Sequence, residues 1–257
     1  MEGDIYREIT KIRDEERNAA LVTVIAANGS TPQSVGAKML VHTDGSILST
    51  IGGGNLEAEI IKESLKVIKS CKPERFTYDL SKGGNVGMVC GGTLEVFIEP
   101  VSPMPTLYIF GGGHISLYLT KMANLAGFKI LIIDPHESAN PDELPDAGQA
   151  IKEDFVKAFS NPRVHINESS FIVIVTRDHI SDGAVLEKAL KTKAKYIGLI
   201  GSKTKRQSIY SDLLSKGISQ ELLDKVCNPI GLPINAQTPA EIAVSILAEI
   251  IKVRRNA

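Results

Sequence analysis

Apolar residues recur along this chain in two rhythms, and the change between them falls before the middle. Near the N-terminus Ile5, Ile9 and Ile12 are spaced as on one face of a short amphipathic helix among charged neighbours. The run LVTVIAA (21–27) predicts a buried strand. AKMLVHTDGSILST predicts two more strands meeting at Asp44-Gly45, a dipeptide suited to a tight hairpin turn. After Gly52-Gly53-Gly54 the positions Leu56, Ile60, Ile61, Leu65 and Ile68 share a helical face, and this helix is expected to stop before Pro73. RFTYDL and TLEVFIEP read as strands on either side of the glycine-rich stretch SKGGNVGMVCGG. Residues 1–101 therefore form an α+β unit with neighbouring strands, and EPVSPMP, with its three prolines, reads as a linker.

From Thr106 onward strands and helices alternate. LYIF, KILIID, FIVIV and YIGLI are too short for helices and mostly uninterrupted, as strands of a parallel sheet buried on both faces should be. Helices are expected over 114–126, 182–193 and 203–216. A last one opens at Thr238-Pro239-Ala240-Glu241, a capping box with proline in the first helical position, and carries a stripe of Ile242, Ile246, Ile250 and Val253. Residues 106–257 thus predict a doubly wound α/β domain. The fold class is α/β, with the smaller α+β domain placed first.

Composition narrows what such a chain does. It has 257 residues and a formal net charge of −1, so no basic excess points to nucleic acid. Aromatics make up 5% and tryptophan is absent, which disfavours stacking platforms for single strands. Cys71, Cys90 and Cys227 form no CxxC pair, and they supply neither a disulfide framework nor the four thiolates of an iron–sulfur cluster. A charged N-terminus without an apolar signal core, and no apolar run of the roughly 18 residues a membrane span needs, predict a soluble cytoplasmic protein.

Four stretches carry candidate chemistry. In TLYIFGGGHISLYLTKMANLAGFKILIID a strand runs into Gly111-Gly112-Gly113, a helix opens at His114, and the next strand ends at Asp134. This is the strand–turn–helix–strand setting of a Rossmann-like dinucleotide fold, in which glycines let backbone N–H groups approach a pyrophosphate and the terminal acid accepts from a ribose. The third glycine position holds Ser116, small enough for close helix–strand packing. Gly52-Gly53-Gly54, followed by Glu57, is a second glycine cluster at a strand-to-helix junction and reads equally as an anion-binding concavity or a plain turn. Cys90 sits among glycines with little bulk around its thiol, whereas Cys71 and Cys227 read as core filler. Thr176-Arg177-Asp178-His179-Ile180-Ser181-Asp182 follows a strand end, where doubly wound folds bind ligands. Within it Asp182 is expected to cap the next helix and His179 to lie at the surface. No HExxH, GxSxG or GxxxxGK[ST] occurs, so hydrolase and ATPase readings lack support.

Taken together, GSTPQSVGAKMLV (29–41), STIGGGNLEAEI (49–60), CGGTLEVFIEP (90–100), FGGGHIS (110–116), IGLIGSKTKR (197–206) and NPIGLPINAQTPAEIAVSILAEII (228–251) resemble the XdhC/CoxI family over nearly the whole chain. The resemblance implies an N-terminal XdhC/CoxI domain and a C-terminal Rossmann domain. It also implies the role of xanthine dehydrogenase accessory factor, a chaperone that binds molybdenum cofactor (molybdopterin, in its simple or dinucleotide form), protects it during sulfuration and delivers it. The implied partners are a xanthine dehydrogenase-type molybdenum hydroxylase and a cysteine desulfurase or sulfurtransferase, with a homodimer by analogy to a dimeric client. On this reading Cys90, a soft ligand, contacts the molybdenum or handles sulfur. Gly52, Gly53, Gly54, Glu57, Gly111, Gly112, Gly113, His114, Asp134, Arg177 and His179 line the cofactor. The family often shows a THxHxxD-like stretch; here Arg177 stands at the first histidine position, which implies either a lost activity or a phosphate contact.

The residues leave two other readings open. An NAD(P)-dependent oxidoreductase would use Gly111–Gly113 and Asp134, yet no hydride-transfer acid with an orienting partner stands out. A scaffold with an empty nucleotide crevice would bind only proteins. A cofactor-insertion chaperone ranks first, ahead of a self-contained enzyme.

Overall fold

A computed structural model of the chain describes residues 4–15, 17–81, 91–136 and 148–255. It divides after Pro103 into two compact units. In the first, helix α1 (Ile5–Asp14) starts where Asp4 accepts from the N–H groups of Tyr6 and Arg7. Strands β1 (Ala19–Asn28), β2 (Lys38–His42), β3 (Ile47–Leu48), β4 (Glu74–Asp79) and β5 (Thr93–Val101) form one sheet in the order β3-β2-β1-β5-β4. Every pairing in it is antiparallel.

Alternation along these strands decides which helix covers which face. Ala20, Val22 and Val24 of β1, with Met39, Val41, Leu94, Val96 and Ile98, pack under Leu56, Ile60 and Val67 of helix α2 (Gly54–Ser70). Ala19, Leu21, Leu40 and Val101 point the other way and bury Ile12 of α1. The expected helix end before Pro73 is present, with Cys71 in the left-handed conformation closing α2.

The second unit contains the doubly wound sheet expected from the apolar runs. Strands β6 (Thr106–Phe110), β7 (Lys129–Ile133), β8 (Gly148–Ile151), β9 (Ser170–Ile174) and β10 (Tyr196–Leu199) are all parallel, in the order β10-β9-β6-β7-β8. The reversal of strand order lies between β6 and β9, the switch point at which open α/β sheets bind ligands. Leu107, Ile109, Ile130, Ile132, Phe171 and Val173 pack against helices α3 (His114–Leu125) and α7 (Pro239–Arg255). Tyr108, Phe110, Leu131, Ile133, Ile172 and Ile174 pack against α4 (His179–Ala189) and α5 (Lys203–Ser215). A short helix, α6 (Gln220–Leu223), follows.

Two features of α7 fix its place. Its capping box forms as expected: the Glu241 N–H donates to Thr238 Oγ1 at 3.3 Å and the Thr238 N–H to Glu241 Oε2 at 2.9 Å. Farther along, Glu249 interrupts the apolar stripe. Its Oε2 accepts from the Tyr196 hydroxyl of β10 at 2.5 Å and from the Gly231 N–H at 3.0 Å. Burial and this carboxylate push the Tyr196 phenol strongly up, so it stays a donor. Among the described residues no helix is long and apolar enough to cross a membrane.

Replacing Glu249 by Ala leaves two donors without an acceptor and is expected to cost the second unit about 2–4 kcal/mol. Thr238→Ala, which removes only the exposed cap, is expected to cost about 1 kcal/mol. Urea unfolding of both variants measures the contrast, and equal losses would contradict the role given to Glu249.

Candidate functional site

Each unit gathers glycines where its strands end. In the first, β3 leads through Ser49 (φ 66°) into Gly52, Gly53 and Gly54, at φ 138°, 73° and 62°. Gly52 has a second reason to be glycine. A Cβ there would lie 2.5 Å from Cγ of Pro32, so the loop bearing GSTPQ rests directly on the turn. No side chain caps the N-terminus of α2, which leaves its first N–H groups for an outside acceptor. Glu57, an expected cofactor residue, is engaged within the turn. It accepts from Thr50 Oγ1 at 2.5 Å, and Thr50 Oγ1 itself accepts from the Gly52 N–H at 3.2 Å.

Gly92 joins the same end of the sheet, since a Cβ on it would meet the carbonyl oxygens of Asn28 and Ser30, both at 2.5 Å. Cys90, the expected thiol ligand, lies outside the described residues. Its chain neighbour Gly91 donates to the Leu80 carbonyl at 3.1 Å.

In the second unit the glycine turn lies at the switch point. Gly111 (φ 114°) approaches the next strand so closely that a Cβ would be 2.4 Å from the Val175 carbonyl oxygen. Ser116, at the third glycine position, is buried and donates to the Gly111 carbonyl at 2.5 Å. Gly113 precedes α3 without a side-chain cap, and His114 in its first turn is exposed. Asp134 sits at the turn, but the partners of its carboxylate are internal. Oδ2 accepts from the Gly112 N–H at 2.6 Å, Oδ1 accepts from the His136 N–H at 2.8 Å, and the residue is only 4% exposed. Asp134 therefore shapes the glycine turn, and the Gly112 N–H is already spoken for.

The loop after β9 departs from expectation in one respect. Asp178 caps α4, accepting from the N–H groups of Ile180 at 2.9 Å and Ser181 at 2.8 Å, so the helix starts earlier than the sequence suggests. Those bonds hold the Asp178 carboxyl below its ordinary range. Asp182, expected to be the cap, is instead fully buried. Its Oδ1 accepts from Thr176 Oγ1 at 2.5 Å and from the Thr176 N–H at 3.2 Å, and its Oδ2 pairs with Lys205 Nζ from the first turn of α5. Burial raises the Asp182 carboxyl, and the bonds from Lys205 and Thr176 oppose that rise. Arg177 and His179 are exposed on either side of the cap.

Lys205 was the residue the sequence left unread. Its signal was electrostatic: Lys203, Lys205 and Arg206 crowd the first turn of α5, where the helix dipole disfavours cations. Two of them have partners that offset this, Asp182 for Lys205 and the Asn228 carbonyl, at 3.1 Å, for Arg206.

Among the described residues no group of three or more His, Cys, Asp or Glu is placed to hold a metal ion. Cys227 is half-buried, and burial beside Glu249 pushes its thiol up to about 11.

Two outcomes follow for these residues. Asp134→Ala orphans the N–H groups of Gly112 and His136 and is expected to lower stability by about 1–3 kcal/mol, while Asp134→Asn, whose single amide oxygen serves only one of them, recovers only part of it. Denaturation midpoints test this. Iodoacetamide at pH 8 is expected to alkylate exposed Cys71 and spare Cys227, of which only on the order of 0.1% is thiolate at that pH; peptide mapping reads the pattern.

Comparison with known proteins places this geometry. The chain matches the XdhC Rossmann domain over residues 107–250 and the XdhC and CoxI family over residues 12–79. It is 35% identical over 258 residues to the Escherichia coli protein YqeB, described as uncharacterized, covering 99% of this chain and 47% of YqeB. The chain thus spans about half the length of that relative. It is also 22% identical to PaoD of E. coli, described as a molybdenum cofactor insertion chaperone, over 93% of this chain and 84% of that protein. A Bacillus halodurans crystal structure described as a xanthine dehydrogenase shares the fold at 23% identity with a TM-score of 0.53, covering 97% of this chain and 95% of that one. With its Rossmann unit matched across more than half the sequence and its first unit matched as well, the chain belongs to the XdhC and CoxI family.

Proposed function

We propose that this protein is an accessory factor that holds molybdenum cofactor and delivers it to a molybdenum hydroxylase of the xanthine dehydrogenase type. The observation that carries the reading is family membership in both units, together with likeness to PaoD over 93% of the chain. The local chemistry agrees with it at the phosphate end. α2 and α3 both start at glycines with no side-chain cap, and the N–H groups of such N-termini donate to phosphate oxygens. Arg177, exposed beside the switch point of the second unit, is suited to an anion at that edge.

When bound, the cofactor supplies the molybdenum and dithiolene chemistry that the client enzyme uses. The residues of this chain have the simpler task of binding, orienting and releasing it. On this reading the Gly113–His114 turn suits the cofactor's charged end, and Cys90 is the thiol proposed for the metal, a soft ligand for a soft centre. A cysteine desulfurase or sulfurtransferase would be the sulfur source during the holding step.

The oxidoreductase reading has less support. Asp134 is 4% exposed and each of its oxygens already accepts a backbone N–H, so it is poorly presented to the ribose of a nicotinamide dinucleotide.

The test is retention. Protein incubated with released molybdenum cofactor and passed through gel filtration is expected to keep it near one equivalent per chain, read as molybdenum and oxidised-pterin fluorescence. Cys90→Ala is expected to lower the molybdenum retained, and Arg177→Ala to weaken pterin binding by roughly tenfold. No retention, with tight NAD(P) binding in a parallel titration, would overturn the proposal in favour of the oxidoreductase.

A further inference from the structure

A chain of polar contacts crosses the carboxyl edge of the second sheet. It starts at Lys205 on α5, which pairs with buried Asp182 on α4. Asp182 takes both the hydroxyl and the N–H of Thr176, the second residue after β9. Thr176 follows Val175, whose N–H donates to the Phe110 carbonyl at 2.9 Å and whose own carbonyl lies against Gly111. Gly112 then donates to Asp134 after β7. The ends of three strands, β9, β6 and β7, are linked in this way.

A buried ion pair contributes little net stability, because desolvating both charges offsets most of their attraction. Apolar residues of similar size would fill the same space at equal or lower cost. Asp182 is 0% exposed and the Lys205 side chain 25% exposed, so the charges are placed where they are expensive. What they give in exchange is directional. The carboxylate accepts only along its lone pairs, and it fixes the Thr176 backbone immediately before exposed Arg177. The stem of Lys205 packs on Gly201, where an added Cβ would lie 3.0 Å from its Cδ, so the ammonium itself has little freedom.

We propose that Lys205 and Asp182 are positioning residues that preset the Val175–Asp178 segment and, through its contact with Gly111, the glycine turn that meets the anionic end of the cofactor. This rests on the reading of that edge as the cofactor site. Neither residue needs to touch the ligand. They hold in place the backbone and the Arg177 side chain that do.

The experiment uses the full chain with Lys205→Met, Lys205→Arg and the double variant Lys205→Met/Asp182→Leu. Amide hydrogen exchange is followed in peptides covering 107–116 and 171–180, with peptides from β1 and β5 as internal control. Lys205→Met is expected to speed exchange in both edge peptides by about tenfold while the control is unchanged. The same variant is expected to weaken molybdopterin binding by about tenfold, as loss of an outer orienting partner does elsewhere. Lys205→Arg is expected to stay close to wild type in both readouts.

Should Lys205→Met fail to fold, the double variant removes the uncompensated charge and carries the test, with the same loosening expected. Wild-type exchange and wild-type binding in the folded double variant would overturn the proposal. If wild-type protein binds no molybdopterin, the functional reading fails, and the exchange comparison alone decides whether the pair positions the edge.

Discussion

A carboxylate taken out of water at the end of a parallel strand has to find donors within the fold, and at the second sheet two carboxylates do so. Asp134 takes backbone N–H groups from the glycine turn and from His136, and Asp182 takes Thr176 and an ammonium. These solutions are joined by the close passage of Gly111 past the Val175 carbonyl, which any Cβ would block. With these contacts satisfied, the strand ends keep one arrangement and the α3 N-terminus stays open to solvent. If either acid lost its donors, the cost would fall on the crevice, because the core beneath is apolar on both faces of the sheet.

The first unit reaches a comparable result by another route. Its sheet is antiparallel and its polarity alternates, so each face calls for a different helix, and α1 and α2 answer to different β1 residues. The end of it where the glycines gather is made of backbone: a run of left-handed glycines, a proline against one of them, and an uncapped helix. Thr50 and Glu57 bond each other there and steady the turn.

How much of this the sequence disclosed depends on the range of the interaction. Strands β6, β7, β9 and β10 were legible because burial on both faces leaves an unbroken apolar run, and the α7 cap because its partners are three residues apart. The β8 strand was not, since Gly148-Gln149-Ala150-Ile151 has no apolar run and earns its place by pairing with β7. The start of α4 was misread because Asp178 and Asp182 are both good capping residues. Only the location of Lys205, in a different helix, shows which of them is buried. Glu249 lies along the α7 stripe, and its partners Tyr196 and Gly231 are remote in the chain. Pairings of that kind have no spacing to read.

The bonds between Leu80 and the Gly91-Gly92 pair have a consequence for how this family can vary. The Leu80 N–H donates to the Gly92 carbonyl at 2.8 Å and the Gly91 N–H to the Leu80 carbonyl, so the chain between β4 and β5 is closed at its base by the backbone itself. Once a ring is closed, doubling its length costs only about 0.6 kcal/mol of entropy. The register of β4 on β5 is thereby insulated from whatever lies beyond the clasp. The sheet therefore tolerates a change in chain length between Leu80 and Gly91 without a change in how β4 lies on β5.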